Sequence, residues 1–238
     1  MPKVCPVCGT SYPDQNVFCA NDGSALHAAD PDGDLIGSVI ADRYLVTDLL
    51  GEGGMGKVYL ARHVRLPQQA AIKVLRPEQA RDPGAVTRFN REAANASRID
   101  HDRVARVYDY GESGDGVVYL AMEYVAGRTL KAILIDGGPM EPRRAAGIVQ
   151  QVADALDAAH RTGVVHRDLK PDNVLVIEDV GGDRVKVVDF GIAKAFGADE
   201  GGGGLTRTGY VVGTPEFMSP EQLLGAPLDA RSDVYALA

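Results

Sequence analysis

The first residues whose types and spacing suggest chemistry are the glycines of the stretch 51–58, GEGGMGKV. Because glycine has no Cβ atom, Gly51, Gly53 and Gly56 allow the backbone to approach phosphate oxygens and to offer them N–H donors. The spacing therefore indicates a loop that could hold the phosphates of a nucleotide.

Three interpretations of this loop compete. A dinucleotide-binding fold needs a helix directly after the glycines, whereas residues 58–61 are typical of a strand. A P-loop needs serine or threonine after its lysine, whereas Lys57 is followed by Val58. A glycine-rich hairpin turn remains, and it stands unless other motifs in the chain also point to phosphate chemistry.

Other motifs do point to it, and they follow one another along the chain. They are an Ala-Ile-Lys segment, a glutamate on the next predicted helix, a dense polar run, an Asp-Phe-Gly segment and a Ser-Pro-Glu segment: residues 71–73, Glu92, 166–173 (HRDLKPDN), 189–191 and 219–221. Together with the glycine loop, this series resembles a eukaryotic-type protein kinase, most closely the bacterial serine/threonine branch. The resemblance covers about residues 40–238.

The resemblance implies which residues carry out phosphoryl transfer. Asp168 would accept the proton of the attacking hydroxyl and orient that hydroxyl, and Lys170 would neutralise the transferring phosphoryl group. A lysine at this place also marks the serine/threonine group. Asn173 and Asp189 would hold Mg²⁺ or Mn²⁺ through oxygen atoms.

The resemblance also implies an ATP site. Lys73 would bind the α- and β-phosphates and Glu92 would hold Lys73 in place, although such a pair on its own is more often a surface salt bridge. The other nucleotide-binding positions are glycines at the phosphates, apolar residues around the adenine and two backbone positions at its edge: Gly51, Gly53, Gly56, Val58, Ala71, Met122, Leu175, Glu123 and Val125. From the sequence alone, the apolar members could equally be ordinary core residues.

Arg167 points to regulation. A cation beside the catalytic aspartate favours an anionic partner, and in the family a phosphate on the activation segment is the usual one. Thr206 and Thr208 lie in that segment, and we expect one copy of the chain to phosphorylate them on another copy. The alternative is that they are ordinary loop threonines. The partners implied are ATP, proteins with serine or threonine, and a second copy of the chain.

All three cysteines lie before residue 20. Cys5 and Cys8 form one knuckle, and Cys19 begins a second knuckle in which Asp22 stands where a fourth cysteine would. The pattern resembles a short zinc ribbon, in which four ligands suit tetrahedral zinc, with His27 as the other candidate for the fourth ligand. A degenerate ribbon without metal is the alternative, although a segment this small cannot build a hydrophobic core without a metal ion or another cross-link.

Regular elements must position these residues. Residues 44–75, 104–110 and 117–124 are strand-like, and a helix is predicted at 84–99. The later part of the chain is mainly helical, with a long helix expected to end at Gly163.

The sequence and the resemblance together predict an α+β, bilobal kinase-like fold. Its expected parts are a zinc-ribbon-like segment, a linker, a strand-rich small lobe and a helical, incomplete large lobe: residues 1–28, 29–43, 44–125 and 126–238.

Composition excludes several classes of protein. The chain has 238 residues, of which 45% are hydrophobic and 24% are charged, a balance that is neither disordered nor collagen-like. No apolar run approaches the ~20 residues of a membrane-spanning helix, and no secretory signal is evident, so a cytoplasmic location is expected for these residues. The net charge of −8 argues against nucleic acid as a main partner.

The predicted function is an ATP-dependent serine/threonine protein kinase. In the family, further helices follow the position of residue 238, so we expect the chain to be incomplete at its C-terminal end, and a membrane span beyond it is left open. The alternative is an inactive kinase-like fragment that binds nucleotide or a partner.

Overall fold

The computed structural model describes residues 3–5, 8, 10–13, 15–23, 26–28, 35–53, 56–114, 116–190 and 215–238. The chain forms two compact units. The first contains Met1–Pro83 and Tyr108–Tyr124, and the second contains Gly84–Val107 and Val125–Ala238. The domain boundaries predicted from the sequence stay predictions.

Strands dominate the first unit and helices dominate the second, which confirms the predicted α+β class. The strands of the described residues are β1 (Lys3–Val4), β2 (Ser11–Tyr12), β3 (His27–Ala28), β4 (Val39–Ile40), β5 (Tyr44–Gly53), β6 (Gly56–His63), β7 (Gln69–Leu75), β8 (Val107–Glu112), β9 (Val118–Glu123), β10 (Arg128–Thr129), β11 (Val174–Ile177) and β12 (Arg184–Val187). The helices are α1 (Pro77–Ala80), α2 (Pro83–Ala96), α3 (Leu130–Gly137), α4 (Pro142–Arg161), α5 (Pro220–Leu223) and α6 (Ala230–Leu237).

The first unit is built on a six-stranded sheet with the strand order β4-β5-β6-β7-β9-β8. Strands β5 and β6 pair antiparallel, and Gly53 lies opposite Gly56 where the two strands meet. The glycine stretch is therefore a hairpin that leads into a strand, and not into the helix that a dinucleotide-binding fold requires.

The register of this sheet brings predicted nucleotide-binding residues to one face. Val58 of β6 lies opposite Lys73 of β7, and Ala71 of β7 lies opposite Met122 of β9. Because side chains alternate along a strand, these four residues share a face. The other face is apolar and forms the core of the unit, with buried residues that include Ile40, Tyr44, Val46, Tyr59, Ala61, Ala70, Ile72, Val74, Tyr119 and Ala121.

Helix α4 supplies the centre of the second unit. Its buried residues Ile148, Val152 and Leu156 are four residues apart and lie on one face, as the sequence pattern predicted. They pack in one apolar cluster with the buried valines of β11 and β12. No helix in the described part of the chain combines the length and the hydropathy that crossing a membrane requires.

Both ends of α4 follow from local chemistry. The carboxylate of Glu141 accepts hydrogen bonds from the backbone N–H groups of Arg143 and Arg144 at 3.0 and 2.8 Å, and these bonds lower the pKa of Glu141. The helix ends at Arg161, and Gly163 follows with a φ of +79°, which confirms the predicted end.

Strands β11 and β12 form an antiparallel hairpin in which Val174 lies opposite Val187. The polar run enters β11, and Asp189 follows β12, so both lie at the same end of this hairpin. The backbone N–H of Val188 donates to the carbonyl oxygen of Asn173 at 3.0 Å, which ties the two segments together.

Two predicted elements have different bounds in the structure. The helix predicted at 84–99 ends at Ala96 as α2. The prediction of a strand from residue 104 is wrong, because β8 begins only at Val107. The backbone N–H of Val187 donates to the carbonyl oxygen of Arg103 at 2.8 Å, and the N–H of Ala105 donates to the carbonyl oxygen of Val187 at 3.0 Å. Residues 103–105 therefore pair with the end of β12.

Gly56 gives a first prediction, because the sheet leaves no room for a side chain there. Its φ is +141°, and a Cβ atom would lie 1.9 Å from the carbonyl oxygen of Val74. We expect Gly56→Ala to lower the free energy of unfolding by ~1–3 kcal/mol, the usual cost of overpacking, as measured by urea denaturation. Gly51→Ala is the matched control, since no described atom lies within 4 Å of a Cβ at Gly51. Equal midpoints for the two variants would contradict this account.

Candidate active site

The polar run at 166–173 is held by one buried carboxylate, that of Asp233 on α6. Asp233 is 1% exposed. Its Oδ2 accepts the backbone N–H of His166 at 2.8 Å, and its Oδ1 accepts the backbone N–H of Arg167 at 2.8 Å. His160 Nε2 of α4 lies 2.6 Å from Oδ2. Asp233 therefore joins two helices, α4 and α6, to the loop.

His166 orients the same loop from inside. The ring is fully buried and lies 4.6 Å, between centroids, from the ring of Phe190. Its Nε2 lies 3.0 Å from the carbonyl oxygen of Val188, and its Nδ1 accepts the backbone N–H of Asp168 at 3.3 Å. This pattern suits a neutral ring with the proton on Nε2. Burial lowers the pKa of His166, which keeps the ring neutral at pH 7.

Lys170, a predicted catalytic residue, and Asn173, a predicted metal ligand, both contact Asp168. Lys170 Nζ donates to Asp168 Oδ2 at 2.8 Å, and Asn173 Nδ2 donates to the backbone oxygen of Asp168 at 2.7 Å and to Oδ2 at 3.3 Å. The Asp168 and Lys170 side chains are 23% and 19% exposed, so both are reachable from solvent. A proton acceptor, a cation and an amide thus stand within hydrogen-bonding distance of one another.

Two residues of this region have backbone angles that side chains rarely adopt. Arg167 has a φ of +67° and Asp189 a φ of +64°. Such strain persists only where the surroundings hold it, and it concentrates at functional sites. Asn173 and Asp189 lie on segments joined by a backbone hydrogen bond and offer oxygen donors, and this arrangement fits Mg²⁺.

Glu92 of α2 is 5% exposed and lies beside Arg167. Its Oε2 is 3.4 Å from Arg167 Nη1, and its Oε1 is 3.7 Å from Arg91 Nη2. The Nε atom of Arg167 is buried and has no hydrogen-bond partner among the described residues. The predicted pairing of Glu92 with Lys73 stays a prediction.

The predicted nucleotide-binding residues occur in both units. Val58, Ala71, Lys73 and Met122 share one sheet face in the first unit, and the side chains of Lys73 and Met122 are each 6% exposed. The other positions described are the three glycines of the hairpin and Glu123 in the first unit, and Val125 and Leu175 in the second: Gly51, Gly53, Gly56, Glu123, Val125 and Leu175. Thr206 and Thr208 lie outside the described residues.

The predicted zinc ligands form a second cluster. One ligand atom each from Cys5, Cys8, Cys19 and Asp22 can be chosen so that all lie within 4.8 Å of one another. The cluster therefore has the donors that a metal ion needs. The side chain of His27 lies outside the described residues.

Sequence reasoning missed two supports of the catalytic loop. His160 lies 73 residues before Asp233, and no local pattern links the two. Gln222 Nε2 donates to the backbone oxygen of Arg167 at 2.6 Å. Ser219 and Gln222 form a capping box at the start of α5, and the Ser-x-x-Gln pattern could have revealed that box.

Comparisons with known proteins agree with this geometry. The model of the protein kinase domain family matches residues 44–238. The chain is 49% identical over 209 residues to the serine/threonine-protein kinase pkn3 of Myxococcus xanthus, covering 87% of this chain and 38% of that protein. It is 46% identical over 201 residues to the serine/threonine-protein kinase PknB of Mycolicibacterium smegmatis, covering 83% of this chain and 31% of that protein. The chain thus spans about a third of the length of these curated relatives.

Solved structures give the same result. The crystal structure of the Mycobacterium tuberculosis PknI kinase domain, C20A mutant, matches with a TM-score of 0.67 and 36% sequence identity. The match covers 84% of this chain and 72% of that one. The likeness therefore extends from the motifs to the backbone.

A second prediction concerns the anchor. Asp233→Ala would leave two buried N–H groups without an acceptor, at a cost of ~1–3 kcal/mol each. We expect urea denaturation to show a loss of at least ~2 kcal/mol in the free energy of unfolding. Asp157→Ala is the control, because among the described residues Asp157 forms an exposed i,i+4 pair with Arg161, whose loss costs ~0.5 kcal/mol or less. Equal free energies of unfolding for Asp233→Ala and Asp157→Ala would show that Asp233 does not anchor the loop.

Proposed function

The chain belongs to the protein kinase domain family, and we propose that it transfers the γ-phosphate of ATP to serine and threonine hydroxyl groups of proteins. Family membership implies ATP and Mg²⁺ as the nucleotide and the metal ion. The observation that carries the proposal is the group formed by Asp168, Lys170 and Asn173, anchored through Asp233. The net charge of −8 is a further reason to favour protein over nucleic acid as the substrate.

Each side chain of this group has one role in the proposed reaction. Asp168 orients the substrate hydroxyl and accepts its proton, and Lys170 stabilises the negative charge of the phosphoryl group as it is transferred. Asn173 and Asp189 would hold Mg²⁺, which when bound neutralises phosphate charge. The short contact between Lys170 and Asp168 supports this assignment, since both groups must reach the same reacting atoms.

ATP binding is assigned to the residues that the family motifs match. Lys73 would bind the α- and β-phosphates, and the backbone N–H groups of the hairpin at 51–56 would cover them. Val58, Ala71 and Met122 share one sheet face, which supports an adenine position against these three side chains. Glu92 would orient Lys73.

An inactive kinase-like module that binds nucleotide or a partner remains the second candidate. The two candidates differ in one measurable step, the transfer of labelled phosphate.

A third prediction tests that step. We expect Asp168→Asn to reduce transfer of the labelled γ-phosphate to a protein substrate at least ~10²-fold, the usual contribution of a general base, while ATP binding persists. Lys73→Met should also reduce the transfer of labelled phosphate, because Lys73 is the residue proposed to bind the α- and β-phosphates. Asp172→Asn is the matched control, because Asp172 is a neighbouring carboxylate that pairs with Lys131 at the surface. Undiminished transfer by Asp168→Asn would remove Asp168 from its role, and a wild-type chain that binds ATP without transfer would favour the second candidate.

We also propose that phosphate on Thr206 or Thr208 activates the kinase by binding Arg167. The partly exposed guanidinium and its buried Nε atom support this role, since a phosphate would supply acceptors that the described residues do not provide. Such a phosphate would compete with the carboxylate of Glu92 for the same cation.

A fourth prediction follows from this competition. The double variant Thr206→Ala, Thr208→Ala should phosphorylate substrate more slowly, and mass spectrometry of the active wild type should find phosphate on one of the two threonines. Wild type mixed with Asp168→Asn should label the inactive variant if transfer occurs between copies. Phosphate found only outside residues 190–220 would exclude this mode of activation.

Zinc is the second metal ion that we propose for this chain, at the N-terminal cysteines and separate from the Mg²⁺ ligands. The grouping of three thiols and a carboxylate supports zinc, which prefers such mixed sulfur and oxygen donors over the all-oxygen sets of Mg²⁺. Its expected contribution is structural, with no part in phosphoryl transfer.

A further inference from the structure

We infer that Asp22 is the fourth ligand of the zinc centre, and that this centre takes the place of a hydrophobic core in the segment 3–28. The inference rests on the zinc proposed above. It adds the ligand that closes the site and the reason why the segment needs a metal ion.

The distances between the donor atoms suit one tetrahedral ion. Cys8 Sγ lies 3.4 Å from Cys19 Sγ, and Cys5 Sγ lies 3.4 and 3.2 Å from Asp22 Oδ1 and Oδ2. With zinc–sulfur bonds of ~2.3 Å and zinc–oxygen bonds of ~2.0 Å, tetrahedral angles give about 3.8 Å between two sulfurs and about 3.5 Å between sulfur and oxygen. These two pairs are within about 0.4 Å of the tetrahedral values, and all four donors lie within 4.8 Å of one another, which suits a single ion.

Backbone amides in both knuckles point at sulfur. The N–H of Cys8 donates to Cys5 Sγ, and the N–H of Asn21 donates to Cys19 Sγ, each at 3.4 Å. A donor aimed at sulfur stabilises the thiolate, which is the form that binds a metal. Both turns therefore direct a backbone N–H donor at a sulfur that would bind the ion.

Polar side chains form an outer layer around the donors. Tyr12 Oη lies 3.2 Å from Cys19 Sγ and accepts the N–H of Ala20 at 3.0 Å. Asn21 Nδ2 donates to Cys8 Sγ at 3.8 Å, and Thr10 Oγ1 lies 3.2 Å from the same sulfur. Three thiolates and one carboxylate around Zn²⁺ leave a net charge of −2, and these hydrogen bonds offset part of it.

The regular secondary structure of this segment is short. It contains three strands of two residues each, in the order β2-β1-β3. Among its described residues, the buried ones are Cys5 at 0% and Cys19 at 3% exposure, whereas Val17 and Phe18 are 57% and 64% exposed. The buried described residues are thus two of the four proposed ligands, while Cys8 and Asp22 are exposed. A segment whose described buried residues are ligands would draw folding free energy from the metal ion.

The experiment measures zinc affinity by competition with a chelating dye, on the full chain stripped of metal and then titrated. We expect one zinc ion per wild-type chain. Asp22→Ala should weaken zinc binding by at least the ~10–100-fold that loss of an outer-layer partner costs, since it removes a ligand. Asp22→Cys should bind at least as tightly as wild type, because it restores a charged fourth ligand.

His27→Ala is the control for the other candidate ligand and should bind zinc like wild type. Limited proteolysis should cleave the stripped chain within residues 3–28 and spare the zinc-loaded chain. Wild-type affinity in Asp22→Ala, or a loss of affinity in His27→Ala alone, would overturn the assignment of Asp22. Equal cleavage with and without zinc would overturn the role as a core. A wild-type chain that takes up no zinc would instead refute the proposed metal ion.

Discussion

The catalytic loop depends on one interaction, the acceptance of two backbone N–H groups by the buried carboxylate of Asp233. The backbone at Arg167 adopts a left-handed conformation, which is strained for a residue with a side chain. Such a conformation persists only where surrounding contacts hold it. Asp233 satisfies two adjacent amides at 2.8 Å each, and His160 Nε2 of α4 lies 2.6 Å from its Oδ2. The side chain of Asp168 follows directly from this backbone, so its direction is set by a helix about 65 residues further along the chain.

The left-handed conformation of Arg167 helps to position two side chains. By turning left-handed at position 167, the backbone brings Asp168 back towards Asn173, and the two are joined by hydrogen bonds to both the backbone and the side chain of Asp168. The same turn places the Arg167 guanidinium against α2, where Glu92 meets it. One backbone conformation therefore positions both the proposed base, Asp168, and the proposed phosphate-binding residue, Arg167.

Local patterns in the sequence predicted most of the elements. The glycine hairpin, the buried stripe of α4 and the turn at Gly163 all follow from interactions within a few residues, which sequence spacing records. The start of β8 was misplaced because residues 103–105 have strand-like types but pair with β12, about 80 residues away. His160 was missed for the same reason, since its partner is distant in sequence. The roles of Arg167 and Glu92 came from family motifs, and the sequence could not indicate that these two residues contact each other.

The two polar sites of the chain show two ways to hold charged groups at fixed positions. In the second unit, a large apolar cluster around α4 surrounds the loop, so the polar residues can be strained and buried without loss of the fold. Among the described residues of the N-terminal segment, the buried ones are Cys5 and Cys19. With the proposed zinc ion bound, the four ligands that would repel one another without metal would become the strongest contacts of the segment. In this proposal the spacing of Cys5, Cys8, Cys19 and Asp22 serves folding, whereas the proposed catalytic residues Asp168 and Lys170 lie in a unit whose fold is supported by the apolar cluster around α4.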